Sequence, residues 1–231
     1  MFPLFFSLTA VDIDAQTTEK IWDYPVKPGS KEWASFTTTQ QMLDAVQIPQ
    51  NVLEKLSTKE LAEICFNYPF YIDYNAIDDQ RLAISIMIEL FNGLKELSQR
   101  KDGAKELKAY PVMPGKQDSP TLSGHSLFKL SYGELLLADD SFIKQLNTQQ
   151  LNELEKIVLD KYVSKVEKPD LYSLHTIKQS FLLSAVIIDQ NPALAKTKSQ
   201  KETAKRFIEN YNVIFDYPEL ITEISKIVSG L

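Results

Sequence analysis

The chain has 231 residues, a formal net charge of −6, 44% hydrophobic and 24% charged residues, and only 7 Gly, 2 His and 1 Cys. A single Cys excludes an intramolecular disulfide and a cysteine-based zinc or iron–sulfur cluster, and two His exclude a site built on several imidazoles. The low glycine content argues against phosphate-binding glycine loops and a turn-rich all-β fold. These numbers predict a soluble, helix-rich globular protein.

The N-terminal residues 1–16, MFPLFFSLTAVDIDAQ, contain a mostly apolar run over 2–11. This run is too short to cross a bilayer, which takes about 20 residues. It has the length of a signal-peptide core, and the position after Ala15 would suit cleavage, although Asp12 and Asp14 stand nearby and no Lys or Arg precedes the run. Two interpretations stay open: a signal segment, which we favour, or an apolar segment docked on the body formed by 17–231.

Helix-start signals recur along the rest of the chain, as capping residues followed by Glu or Gln or as an early proline. They stand at Pro49, Ser57, Asp78 or Asp79, Asn147, Pro192, Ser199 and Asp216. We expect the segment behind Asp78 or Asp79 to continue until Gly103, which would end it.

Hydrophobic periodicity places the core. Residues 82–97 and 181–188 are apolar nearly all round and are expected at the centre of one shared core. In 148–164 an apolar stripe from Leu151 to Val163 faces away from charged residues that include Lys161.

The Pro- and Gly-containing stretch 108–126 predicts a surface loop in one fold or a division between two subdomains. Three Asp/Asn-Tyr-Pro tripeptides at unequal spacing do not establish a repeat. We therefore predict an all-α, single-core bundle or irregular α–α array of about eight to ten helices.

Recognisable catalytic and cofactor motifs are not found. His125 and His175 belong to no ligand pair, and the acidic stretch 73–79 has Asp78 where a calcium loop requires Gly. The chain contains neither a P-loop nor a G-x-S-x-G motif. Cys65 lies on an apolar helix stripe and is expected in the core. The basic run 196–206 is diluted by polar residues, so a nucleic-acid site is not expected. We expect no metal and no cofactor.

Aromatic residues are concentrated in 22–33 and 68–74, beside Asp73 and Arg81. Rigid rings with a polar tip are favoured at recognition surfaces, which makes this region the candidate ligand site. Its predicted members are Trp33, Tyr68, Tyr71, Asp73, Tyr74 and Arg81. The other interpretation is that the rings fasten loops onto helices. A surface role predicts that Tyr71→Ala with Tyr74→Ala removes binding at an unchanged melting temperature, whereas a large loss of stability would identify structural anchors.

Several motifs in residues 24–102 resemble an uncharacterised family of exported bacterial proteins. They are the segment YPVKPGSKEW at 24–33, QIPQNVL at 47–53, LST at 56–58, NYP at 67–69, FNG at 91–93 and RKD at 100–102. The resemblance implies bacterial origin and export, and it carries no activity or catalytic residue.

The sequence thus predicts an exported, periplasmic or cell-envelope protein that binds a protein, peptide or glycan, without nucleic acid and without a transmembrane segment. The alternatives are a metal-independent carboxylate hydrolase, a purely structural envelope protein and a cytoplasmic location. An enzyme is the less favoured class, and the oligomeric state stays open.

Overall fold

The computed structural model describes residues 22–110, 124–168, 170–195 and 197–211. These residues form twelve α-helices and two 3₁₀ helices and contain no strand, which confirms the predicted all-α class. The α-helices are α1 (Lys31–Ala34), α2 (Thr39–Ala45), α3 (Gln50–Leu53), α4 (Thr58–Phe66), α5 (Gln80–Leu90), α6 (Asn92–Gln99), α7 (Gly103–Leu107), α8 (Gly124–Ala138), α9 (Asp140–Ile143), α10 (Thr148–Val166), α11 (Leu174–Gln190) and α12 (Lys198–Glu209). The 3₁₀ helices cover Tyr71–Ala76 and Pro192–Leu194. The number exceeds our expectation because α1, α3 and α9 are single turns of 4 residues.

Most of the predicted helix starts are formed by the expected side chains. Ser57 and Asn147 make complete capping boxes with the residues three positions on, and Asp79 accepts a hydrogen bond from the Leu82 backbone at 3.0 Å. The start of α12 differs, because Thr197 rather than Ser199 is its cap and Gln200 completes the box. Asp216 and the centre of the 108–126 loop lie outside the described residues.

The apolar segment that begins after Asp79 is not one helix. Phe91 adopts an extended conformation, with φ −107° and ψ 115°, and separates α5 from α6. Its ring stacks on Tyr68 with centroids 4.4 Å apart. A Cβ at Gly93 would lie 2.5 Å from the Phe91 ring, so the break depends on a glycine. Gly103 does not end the segment; it begins α7, packed against the Leu97 carbonyl.

The core has α11 at its centre. Every residue from Lys178 to Ile188 is buried, and α11 packs against α8, α10 and α12. This confirms the prediction for 181–188. The prediction for 82–97 is wrong for one face of α5, where Leu82, Ile86 and Leu90 are exposed. Helix α5 packs mainly on α6 and on the first 3₁₀ helix, and these two neighbours do not enclose it.

Two stretches of the chain carry corresponding helices: α3, α4, α5 and α7 in one, and α9, α10, α11 and α12 in the other. We name residues 50–110, which contain α3 to α7, the first unit, and residues 140–211, which contain α9 to α12, the second unit. At an offset of 90, Leu56, Thr58, Leu61 and Glu63 recur as Leu146, Thr148, Leu151 and Glu153. At an offset of 100, Leu82, Ile88, Lys101, Ala104 and Lys105 recur as Leu182, Ile188, Lys201, Ala204 and Lys205. The repetition extends to burial, because residues 101–110 and 201–210 alternate between buried and exposed in nearly the same order.

The offset between corresponding residues of the two units changes from 90 to 100, and the lengths of two helices explain the change. Helix α4 has 9 residues and its counterpart α10 has 19, so α10 runs ten residues longer before the units realign. Those additional turns carry Lys161 and Lys165, both buried. The second unit therefore contains charged core residues for which the first unit has no equivalent.

Candidate functional site

The six predicted site residues do not share one surface. Tyr68 and Tyr74 are buried, with 1% and 0% of their surface exposed, while Trp33 and Tyr71 are half-buried and Asp73 is exposed. Arg81 lies away from the aromatic rings, on α5, where its guanidinium donates to the Ile208 carbonyl at 3.4 Å.

Five rings of the two aromatic stretches are linked to one another through Phe91, namely Trp22, Tyr24, Trp33, Tyr68 and Phe70, whereas the Tyr71 ring contacts Tyr132. Trp33 and Tyr68 lie 5.3 Å and 5.7 Å from Phe70, and Tyr68 also stacks on Phe91. The Tyr24 hydroxyl donates to the Ile64 carbonyl at 2.9 Å and fixes the 22–30 segment against α4. These contacts support the interpretation that the rings fasten loops onto helices.

A cleft lies beside Arg81, between α5, the junction of α8 and α9, and the end of α12. Its volume is about 590 Å³. We name it the α5 cleft, and it is lined by Asp79, Arg81, Leu82, Ile84, Ser85, Leu135, Ala138, Asp139, Asp140, Ile208, Glu209 and Tyr211. Four carboxylates and one guanidinium stand around an apolar floor, so the cleft has a negative formal charge.

Two of these carboxylates also hold the backbone. Asp79 caps α5, and Asp139 caps α9 by accepting from the Ser141 backbone at 2.9 Å. The other Asp139 oxygen accepts from the Ser85 hydroxyl at 3.0 Å, which ties α5 to the α8–α9 junction. The cleft therefore has walls that are fixed by hydrogen bonds.

An exposed apolar stripe extends from the cleft along α5. Leu82, Ile86 and Leu90 follow at intervals of four residues and are 51%, 37% and 50% exposed. Residues at this spacing lie on one side of a helix. The stripe and the cleft thus form one surface that is apolar along the helix and acidic at its edge.

A second cluster of polar groups is enclosed between α8, α10 and α11. The Lys165 ammonium donates to Glu134 at 2.8 Å, to the Ser180 hydroxyl at 2.7 Å and to the Thr176 carbonyl at 2.8 Å. Ser180 in turn donates to the other Glu134 oxygen at 3.0 Å, and Lys161 lies 3.9 Å from that oxygen. Burial lowers the pKa of Lys161 to about 8. With Glu134 and Lys165 at 0% and 1% exposure, this buried ion cluster offers no access to a ligand.

Glu155 lies on the same buried side of α10, and its carboxylate has few hydrogen-bond partners to offset its burial. One of its oxygens accepts from the Ser184 hydroxyl at 2.6 Å, and the other has no hydrogen-bond partner among the residues that the structure describes. Burial disfavours the ionised form and raises the pKa of Glu155 from its ordinary value near 4.5 to about 7, against the opposing effect of the Ser184 hydrogen bond.

Glu155 should make the protein less stable as the pH rises from about 4.5 to 7. In that window the folded state retains the Glu155 proton and the unfolded state has lost it, so the contribution of this group falls by roughly 1.4 kcal/mol per pH unit. Above pH 7 the loss is complete. We expect Glu155→Gln to remove this component, measured as the difference between the urea-unfolding curves of variant and wild type at several pH values. An equal pH dependence in both proteins would contradict the assignment.

The sequence indicated neither the buried ion cluster nor the cleft. Lys161 was expected in solvent, but it is buried, while Val163 is 49% exposed. The signal was present, because Leu151, Leu154 and Val158 continue at helical spacing to Lys161 and Lys165. Glu134 also stands directly before the apolar run LLLA at 135–138 of α8.

Within the described ranges, no group of His, Cys, Asp and Glu residues could hold a metal ion. The same residues include no helix with the length and apolar character needed to cross a bilayer.

Comparisons with known proteins give no relative for this chain. No protein-family model, no curated protein and no solved structure matches it. The resemblance to exported bacterial proteins in residues 24–102 stays a prediction.

Proposed function

We propose that the protein is an exported helical protein that acts by binding, and that its ligand occupies the α5 cleft. The observation that carries the proposal is a preformed cleft of about 590 Å³ that combines an apolar floor with charged groups at its edge. Ligand sites are typically concave, largely apolar and of roughly 300–1,000 Å³, with a few polar groups that orient the ligand.

Export is supported by the apolar run in residues 2–11. Cell fractionation combined with N-terminal sequencing of the mature protein checks this part of the proposal. Recovery of the full-length chain in the cytoplasm would contradict it.

The alternative of a carboxylate hydrolase retains one supporting observation, the acidic residues of the cleft. Asp79 and Asp139 are occupied as helix caps, and Asp140 pairs with Lys144 at 2.6 Å. A general acid and base need oxygens directed at a substrate. Binding is therefore the better supported function.

Site-specific photo-crosslinking tests the binding site. A benzoylphenylalanine at position 85 projects into the α5 cleft, and the same group at position 156 stands on the exposed side of α10. In native envelope extract we expect one saturable adduct at position 85 that unlabelled wild-type protein competes away, and none at 156. Equal labelling at the two positions, or none at position 85, would contradict the proposal.

A further inference from the structure

The second unit contains residues that correspond to the exposed stripe of α5, and their burial can be compared with that of the stripe. At the offset of 100, Leu82 and Ile86 of the first unit correspond to Leu182 and Val186 of the second. Leu182 is 0% exposed and Val186 is buried, while Leu82 and Ile86 are exposed. The same face of equivalent helices is thus covered in one unit and open in the other.

Helices provide the cover in the second unit. Helix α11 packs against α8, α10 and α12, so its apolar side chains lie between the ridges of neighbouring helices. Among the described residues, α5 has α6 and the first 3₁₀ helix as its main neighbours and makes only a smaller contact with α8. Helices are thus the elements that pack around the equivalent helix of the second unit.

The length of the stripe fits the same kind of occupant. Leu82 and Leu90 are eight positions apart, or about 12 Å along the helix axis at 1.5 Å per residue. Two turns of an apposed amphipathic helix, with apolar residues at positions i, i+3 or i+4, and i+7, cover that length.

The charge of the α5 cleft favours one class of amphipathic helix as the occupant. Asp79, Asp139, Asp140 and Glu209 line the cleft beside Arg81. Lys144 pairs with Asp140 and Lys205 with Glu209, so the carboxylates exceed the cations by one. Electrostatic complementarity favours Lys or Arg beside the apolar stripe of the occupant and disfavours Glu or Asp there.

We propose that the α5 cleft and the stripe Leu82, Ile86 and Leu90 bind a basic amphipathic helix of another protein. This inference rests on the proposed binding function and specifies the chemistry of the partner. A second copy of this chain and an acidic or extended segment are the rival occupants.

Fluorescence anisotropy with full-length protein tests the inference. The probe is an 18-residue labelled peptide with Leu at helical spacing and Lys on both flanks; two matched peptides replace every Lys by Glu or scramble the order of residues. We expect saturable binding of the basic amphipathic peptide and at least tenfold weaker binding of both others. Equal affinity for the Glu or the scrambled peptide would overturn the inference.

Protein variants locate the site. Leu82→Ser with Ile86→Ser should weaken binding at least tenfold. The control, Val163→Ser with Val166→Ser, alters exposed apolar residues on α10 and should leave binding unchanged. Because all four side chains are exposed, circular dichroism should show the same melting temperature in each protein. Equal loss in both variants would overturn the inference.

Two further results separate the possibilities. A wild-type dimer in sedimentation velocity that Leu82→Ser with Ile86→Ser dissociates would identify a second copy as the occupant and overturn the helix proposal. A position-85 adduct without binding of any peptide would leave the proposed function standing and refute only the helical partner.

Discussion

Replacing Glu134 by Ala should lower the free energy of unfolding by about 3–5 kcal/mol, because it leaves the buried ammonium groups of Lys161 and Lys165 without their carboxylate. Removing one partner of a buried ion pair is far more costly than the pair is stabilising. Urea unfolding at pH 7 measures the effect. The matched control is Lys156→Ala, a charged residue on the exposed side of α10, which should change stability by less than about 0.5 kcal/mol.

A triple variant keeps this prediction testable if Glu134→Ala does not fold. Glu134→Leu with Lys161→Met and Lys165→Met removes all three charges and retains much of the side-chain volume. We expect its free energy of unfolding to lie within about 1 kcal/mol of the wild-type value or above that value, since well-packed apolar replacements of buried ion pairs are often neutral or stabilising. A triple variant as unstable as Glu134→Ala would mean that the cluster contributes through its hydrogen bonds rather than through charge balance.

Tyr74→Ala should lower the free energy of unfolding by about 3 kcal/mol, since a fully buried ring leaves a large cavity. The hydroxyl also donates to the Phe128 carbonyl at 3.4 Å, so the substitution removes one hydrogen bond between the first 3₁₀ helix and α8. Tyr71→Ala, three residues earlier and half-buried, is the control and should cost about 1 kcal/mol or less. Thermal unfolding of the two single variants measures the difference.

An unchanged melting temperature in Tyr74→Ala would restore the surface role that the sequence leaves open for this residue. The burial of Tyr68 and Tyr74 instead places them with the anchors that hold loops in position. If Tyr74→Ala loses ligand binding, the loss of stability has to be measured as well, because only a loss of binding in folded protein shows a contact between Tyr74 and the ligand.

Local signals in the sequence predicted local structure well. The capping boxes at Ser57 and Asn147 are formed between residues three apart, and nothing distant is needed to recognise them. The nearly all-apolar run of 181–188 likewise predicted the buried centre of α11. Two local predictions failed, the helix start at Ser199 and the helix end at Gly103. The failures that affect the core and the candidate site depend on neighbours from other parts of the chain.

Lys161 and α5 illustrate the two kinds of failure. Lys161 is placed in the core by Glu134, 27 positions earlier on another helix, and no local pattern contains that pair. Apolar residues on every side of α5 predicted burial, but burial also requires a neighbour on each side, and the part of the chain that the structure describes provides none along Leu82 and Ile86. The candidate site could not be predicted for the same reason, because its lining comes from α5, α8, α9 and α12.

The amide of Gln80 joins the two units. Its oxygen accepts from the Tyr211 hydroxyl at 2.7 Å and from the Gln179 amide at 3.2 Å, so one buried side chain of the first unit satisfies two donors of the second. Unfolding one unit alone would break these hydrogen bonds and would also expose the hydrophobic core that both units share, which loses apolar burial on both sides. The related halves are consequently coupled in their unfolding, and the chain should lose its structure in a single cooperative transition instead of one half at a time.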